Sequence, residues 1–436
     1  MNKKLLIHHA SQIVQIVSNG QPYLRGSDPN IKNLKILSKQ SPSDNLCIVS
    51  INGKIEFIGL DTDENYSNFK NLVYDSKIDA TNCSILPGLI DSHTHPVWEG
   101  DRINEFKMKL EGATYMDIHK AGGGIHFTVR HTRDASECKL YESLTKRLDN
   151  FSKSGTTFVE CKSGYGLEWE TEYKMLKVLT KAKREYKSIG ISNTYLGGHA
   201  VPIGKTADEA TDDIVENQIP KLRDLIRSND LEVDNIDVFC EKGVFDVEQT
   251  ERIMTKALQN IENIKINFHS DELYPLNSVE MAVRLKSKAV SHLEEISDSE
   301  IELMSKSETV GILLPTTAII MQLKRPPARK MLNSGCIIAL GSDFNPNAYC
   351  YAMPLVMNYA CIDLRLSMNE ALVAATLNSA FALGVEKSKG SLEIGKDADF
   401  VVLNNERWEN IIYQMGSHDQ LIKYVIVNGQ IVHQKN

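Results

Sequence analysis

Eight short apolar runs recur through the middle of this chain, and each breaks off into glycine or polar residues: SILPGLIDSHTH, TTFVECKSGYG, ISNTYLGGH, IDVFCEKG, IKINFHSDE, KAVSHLEE, TVGILLPTT and CIIALGSDFNP. Runs that stay apolar rather than alternating mark strands buried on both faces, the habit of a parallel sheet. The segments between most of them carry helical spacing. Met175, Leu176, Leu179 and Ala182 share one helical face, as do Ile253, Met254, Ala257 and Leu258 behind an Asp246–Gln249 cap. Ser297 and Glu300 read as a capping box ahead of Ile301 and Met304, and the alanine-rich stretch 369–383 reads as one helix stopped by Gly384. Eight buried strands alternating with helices predict an α/β fold, a (β/α)8 TIM-like barrel, in which chemistry sits at the C-terminal strand ends.

The two ends of the chain read differently. LCIVSINGKIEFIGL (46–60) and IKYVIVNGQIVHQ (422–434) each place Asn-Gly between β-rich runs, the strongest short hairpin signal. LEIGKDADFVVLN (392–404) reads as turn and strand. A small β-structure built jointly from both ends is expected, with the polar stretch 19–45 looping out. The 436 residues are 42% hydrophobic and 24% charged, ordinary for a globular enzyme, and 49 basic against 57 acidic residues leave no basic stripe for nucleic acid. No apolar run approaches the ~20 residues of a membrane span. Eight cysteines without a C-x-x-C pair read as reduced core residues. The opening apolar patch is cut short by His8-His9, too soon for a secretion signal, so a cytoplasmic address is expected.

Histidines gather at the predicted strand ends: His93 and His95 after the first run, His199 after the third, His269 after the fifth and His292 after the sixth, with Asp343 after the eighth. His93 and His95 are two apart, so on a strand they point the same way and reach one ion. His269 and Asp343, from across the barrel mouth, complete a set of three nitrogens and one carboxylate. That set suits one divalent or trivalent metal ion, zinc first and iron as the alternative. A bound ion with an open position brings water to a neutral pKa. Glu272, three residues past His269, can shuttle a proton beside such a site, or else simply open the next helix. His292 can orient the nucleophile or meet Asp343. Lys242, past the fourth run, reads as a loop residue that only carboxylation would turn into a bridge to a second ion. Gly122–Gly124 reads as a flap near the mouth.

LPGLIDSHTH near the front and GSLEIGKDADFVVL at the back resemble the amidohydrolase superfamily, along nearly the whole chain. Within it, HTHPVWEGDR, GGGIHFTVRHTR, KSGYGL, LGGHAVP, DVFCE, NFHSDEL, SHLEE and GSDFNPN are similar to the imidazolonepropionase family. The resemblance implies a composite β-sandwich from residues 1–86 and 392–436 around a barrel of 87–391. It implies metal ligands His93, His95, His269 and Asp343, and substrate contacts Arg102, Tyr165, His199, Glu272 and Asn345. The implied reaction is hydrolysis of 4-imidazolone-5-propanoate to N-formimidoyl-L-glutamate in histidine degradation, with Glu272, His292 and Asp343 as catalytic residues. The implied partner is a small anionic heterocyclic substrate, and a homodimer is a family expectation. Many bacterial family members carry Asn-Pro-Gly followed by Ser or Thr where this chain has Asn345-Pro346-Asn347-Ala348, so the resemblance does not carry over any contact made by that hydroxyl. Another cyclic amidohydrolase, a nucleobase deaminase, or a barrel kept for structure alone are the competing readings, the last opposed by the intact ligand set.

Overall fold

Eight parallel strands make the central sheet: β1 (Leu89–Asp91), β2 (Thr156–Lys162), β3 (Gly190–Gly198), β4 (Asn235–Cys240), β5 (Lys265–Ser270), β6 (Ala289–His292), β7 (Val310–Leu313) and β8 (Ile337–Leu340). These come from a computed structural model describing residues 3–112 and 123–435; Gly122 of the expected flap lies outside the described residues. Each strand pairs with its successor, and nearly every residue of the eight is buried, which is why their sequences do not alternate. The ring closes just past the strand ends. Thr94 bridges Phe344 in parallel, the His95 N–H donates to the Phe344 carbonyl at 2.9 Å, and the Asp343 N–H donates to the His93 carbonyl at 2.9 Å. Closure therefore ties together the two loops that carry most of the candidate ligands.

The expected helices flank the barrel. Trp169–Glu185, Val247–Asn260 and Asp298–Ser305 are helical, and the last two start with the reciprocal capping boxes of Asp246/Gln249 and Ser297/Glu300. The stretch 369–383 differs from expectation. It forms two helices, Met368–Ala374 and Leu377–Leu383, the second ending at Gly384 with φ of 70°. The break has a tertiary cause. The Ala375 carbonyl accepts the Ile90 N–H at 2.8 Å, so one helical acceptor is given over to the first barrel strand.

The chain ends build two further sheets. Lys54–Leu60, Leu46–Ile51, Lys4–Ala10 and Ser76–Asp79 lie side by side in one. Gln430–Gln434, Ile422–Val427, Phe400–Leu403, Ser84–Pro87, Gln12–Ile16 and Lys35–Ser38 form the other. Ile7, Ile48 and Ile78 of the first meet Ile13, Ile85, Phe400 and Ile426 of the second in one apolar core. Both Asn-Gly pairs turn as read. Asn52 and Gly53 have φ of 53° and 80°, and Asn428 and Gly429 have 49° and 71°, the double left-handed geometry of tight hairpins. The stretch 19–45 does not loop out. Leu24, Ile31 and Leu34 are buried with the barrel core, and the Arg25 guanidinium donates to the carbonyls of Ser305, Ser307 and Gly335. Sparse apolar anchors inside a polar stretch were enough to dock it. No helix among the described residues is long and apolar enough to cross a membrane.

Candidate active site

Past β1, on either side of the Thr94 bridge, His93 and His95 turn their rings toward Asp343. Their Nε2 atoms lie 3.6 and 3.3 Å from Asp343 Oδ1, and His269 Nε2 lies 3.4 Å from His95 Nε2. The four side chains are buried. Burial holds the His93 imidazole well below its ordinary range, and brings His95 and His269 down to about 4 against the opposing pull of Asp343 and Asp237. Burial alone would raise the Asp343 carboxyl, but His95, His292 and His269 keep it well below the usual carboxylate range. The result is three neutral nitrogens within 4.8 Å of one another, with an ionised oxygen standing against two of them, His93 and His95. His93 Nε2 has no hydrogen-bond partner among the described residues. Tetrahedral zinc, with bonds of about 2.0–2.1 Å, spaces its ligand atoms about 3.3 Å apart. The donor spacings of 3.3 to 3.6 Å fit such an ion.

The far side of each ligand is held as well. Ser291 Oγ meets His93 Nδ1 at 2.8 Å, Asp237 Oδ1 meets His269 Nδ1 at 3.0 Å, and the Thr317 hydroxyl donates to Asp343 Oδ2 at 2.8 Å. Partners of this kind fix the ring orientation and the coordinating nitrogen. Asp343 sits at φ of 51°, and His292 and Leu293 at 80° and 70°, left-handed conformations that non-glycine residues rarely adopt and that collect at functional sites.

Behind His269 lies a group that sequence reasoning missed. Lys162 Nζ is 2.5 Å from Glu160 and 2.8 Å from Asp237, all three being fully buried inside the barrel. Burial would raise Asp237, but His269 and Lys162 hold it ionised, and burial would lower Lys162, but Asp237 and Glu160 keep it charged. The available signal was Glu160 and Lys162 two apart, and Asp237, inside otherwise apolar runs. Lys162→Met should destabilise the fold by about 3–5 kcal/mol, because it strands two buried carboxylates. Chemical denaturation read by fluorescence would check this; a loss under about 1 kcal/mol would mean that the carboxylates simply take up protons.

Around the imidazoles stand the other expected residues. His199 stacks on His95, with centroids 4.8 Å apart and planes 17° off parallel, while its Nδ1 meets the Gly164 carbonyl at 2.9 Å. Tyr165 is buried 5.2 Å from His199. Its loop is organised by Glu172, which accepts the N–H groups of Gly164, Gly166 and Leu167, a second residue the sequence did not flag. Glu272 does not open a helix, since the next one begins at Ser278. Its Oε2 lies 3.7 Å from His292 Nε2, and the His292 ring is 5.3 Å from His269. Burial pushes the Glu272 carboxyl up to about 7, with His292 opposing. Burial would lower His292, but Glu272, Glu294 and Asp343 raise it to about 10.

Three residues stand apart from that inner group. Arg102 donates from Nε and Nη2 to the Glu105 carboxylate at 2.8 and 2.5 Å, and Glu105 also accepts the Gly124 N–H at 2.9 Å. Asn345 closes its own turn: Nδ2 donates to the Asp343 carbonyl at 2.7 Å, and Oδ1 accepts from the Asn347 and Ala348 N–H groups. Lys242 is exposed, its ammonium 4.7 Å over the Tyr274 ring. The buried lysine of this barrel is Lys162, and Lys242 belongs to the rim.

Residues 306–433 match the Amidohydrolase family. A probable imidazolonepropionase of Bos taurus is 50% identical over 432 residues, 99% of each chain. One of Nematostella vectensis is 52% identical over 433 residues, 99% of this chain and 100% of its own. The crystal structure of an adenosine deaminase from Xanthomonas campestris with bound zinc has a TM-score of 0.67 and 18% identity, over 98% of this chain and 92% of that one. Likeness at that identity speaks to fold alone. The amidohydrolase match and the buried His93, His95 and His269 cluster point together to a metal site.

Proposed function

The chain belongs to the imidazolonepropionases, the hydrolases that open 4-imidazolone-5-propanoate to N-formimidoyl-L-glutamate in histidine degradation, and we propose that the residues around the converging imidazoles carry that reaction here. The observation that supports these roles is the meeting, at one set of strand ends, of a neutral-imidazole and carboxylate cluster with the Glu272–His292 pair. His93, His95, His269 and Asp343 would hold one ion, zinc by the chemistry of the set. When bound it supplies Lewis acidity and a nucleophilic water at neutral pH.

The chain's own side chains do the rest. Water adds across the ring amide: its oxygen goes to the carbonyl carbon, the C–N bond breaks, and the departing nitrogen gains a proton. Glu272, with a carboxyl near 7, takes the proton released from water and returns it to that nitrogen. His292, cationic beside it, holds the ionised state of Glu272 in place. His199, stacked on His95, is kept neutral by burial and donates its Nδ1 proton to the Gly164 carbonyl, so its Nε2 can accept from a ring N–H of the substrate. Eight free thiols support a cytoplasmic setting. The direct test is to supply freshly made imidazolone propanoate to the purified enzyme and follow the loss of its absorbance; no loss in metal-replete protein would refute the assignment.

Arg102 is our candidate for the substrate's carboxylate tail. Its guanidinium is largely buried, close enough to Tyr165 to oppose the rise of that phenol, and already oriented by Glu105. A charge-assisted contact of this kind contributes about 1.5–3 kcal/mol. Arg102→Ala should therefore lose roughly 10- to 100-fold in kcat/KM, mostly through KM, with metal content unchanged. The wild type should also prefer the acid over a ring analogue with a neutral tail, and the variant should not. Equal handling of both by the wild type would leave Arg102 as a partner of Glu105 only.

A further inference from the structure

On the four-stranded sheet, away from the strand ends of the barrel, a second group of donors converges. His8 and His9 are neighbours in Lys4–Ala10, where successive side chains ordinarily point to opposite faces. Here the ladder slips: Ile7 pairs with Ile48 and Ala10 with Leu46, so both histidines oppose the single residue Cys47. This is a β-bulge, and His9 takes the left-handed φ of 64° that accompanies it. The bulge brings the two rings to one side, with centroids 4.4 Å apart and Nδ1 atoms 2.9 Å apart. Asp79 lies in register with His8 on the parallel neighbour Ser76–Asp79, and its Oδ1 is 3.2 Å from His9 Nδ1. The Thr81 N–H and hydroxyl both donate to that carboxylate, at 3.0 and 2.7 Å, and Asn45 Oδ1 accepts the His9 N–H at 2.7 Å.

A proton accounts poorly for this arrangement. If His9 Nδ1 carries one, it can point at His8 or at Asp79 but not well at both. If His8 Nδ1 carries it instead, the His9 lone pair is left 3.2 Å from a carboxylate oxygen. A metal ion satisfies all three donors together. The spacings of 2.9 and 3.2 Å lie close to those at the barrel mouth and to the edge of about 3.3 Å set by zinc–nitrogen bonds of about 2.0–2.1 Å. Among the described residues only two histidine-containing groups meet this closely, and this is the one outside the barrel. Its carboxylate is oriented by Thr81, as ligating carboxylates usually are by an outer partner.

We propose that His8, His9 and Asp79 form a second metal site, at the surface, for a divalent ion of the zinc type, with solvent completing the coordination. The ion clips the bulge of Lys4–Ala10 to the edge strand Ser76–Asp79, and so stabilises the fold by linkage.

The test uses intact holoenzyme equilibrated with excess Zn²⁺, with total bound metal per chain measured after removal of free ion. Wild type should hold two ions, and His8→Gln/His9→Asn should hold one with turnover unchanged; asparagine tolerates the left-handed backbone, so the bulge survives. Asp79→Asn should bind the second ion at least about tenfold more weakly in a calorimetric Zn²⁺ titration, since even losing an outer partner of a ligand costs about 10–100-fold in affinity. Its separate single-site variant guards against misfolding of the double one. The same metal count in wild type and double variant, or unchanged affinity in Asp79→Asn, overturns the site.

Discussion

Asp343→Asn is expected to purify as a folded protein without its catalytic metal and with turnover reduced at least about 10⁴-fold, the several kcal/mol that a bound ion contributes at ~1.4 kcal/mol per decade. Asparagine keeps the shape, tolerates φ of 51°, and can still meet the Thr317 hydroxyl, so the loop should hold. What it removes is the only negative charge among donors that are otherwise neutral imidazoles. His95→Ala should give the same paired loss by a different route, since His95 Nε2 stands 3.3 Å from Asp343 and 3.4 Å from His269 Nε2. The two measurements are metal content by elemental analysis and initial rate on the same preparation. Full metal with full loss of rate would make Asp343 a catalytic group outside the coordination set. Full metal in both variants would move the ion elsewhere.

Why the site could be read from residues, and where that reading stopped, follows from what each residue type reports. Histidines at strand ends are conspicuous, because little else explains five of them interrupting apolar runs; His93, His95, His199, His269 and His292 form one connected group of rings in the barrel mouth. The eight strands were legible because burial on both faces removes polar residues from them. Lys162 was not legible, because a lysine closing an apolar run ordinarily marks its exit to solvent, and only three-dimensional pairing with Glu160 and Asp237 shows it turned inward. For Arg102 the spacing allowed pairing with Asp101 or Glu105 beside a substrate contact, and Glu105, one helical turn on, binds two of its donors. The uninterrupted helix expected over 369–383 follows propensity alone, and it yields at Ala375 to a barrel hydrogen bond that local sequence does not contain.

Glu272→Gln should keep the metal and lose roughly 10²–10⁴ in kcat, the usual worth of general acid–base catalysis. The glutamine fills the same volume and can still meet His292 across the 3.7 Å gap, but it cannot carry a proton between water and a leaving nitrogen. The pH dependence separates this role from a merely structural one. Burial places the Glu272 carboxyl at about 7, well above its unfolded value. Below that pH the group is protonated and cannot accept from water; above it the group is ionised and competent. Activity in kcat/KM should therefore rise with pH through about 7 and then level off. His292, raised to about 10 by Glu272, Glu294 and Asp343 against its own burial, stays protonated over the same range and adds no limb there. In Glu272→Gln the residual rate should lose the limb as well as the magnitude. A variant that is slow yet keeps an unchanged limb near 7 would assign that titration to another group at the site. One that is nearly as fast as the wild type would leave Glu272 as the counter-ion of His292, with the proton transfer carried elsewhere.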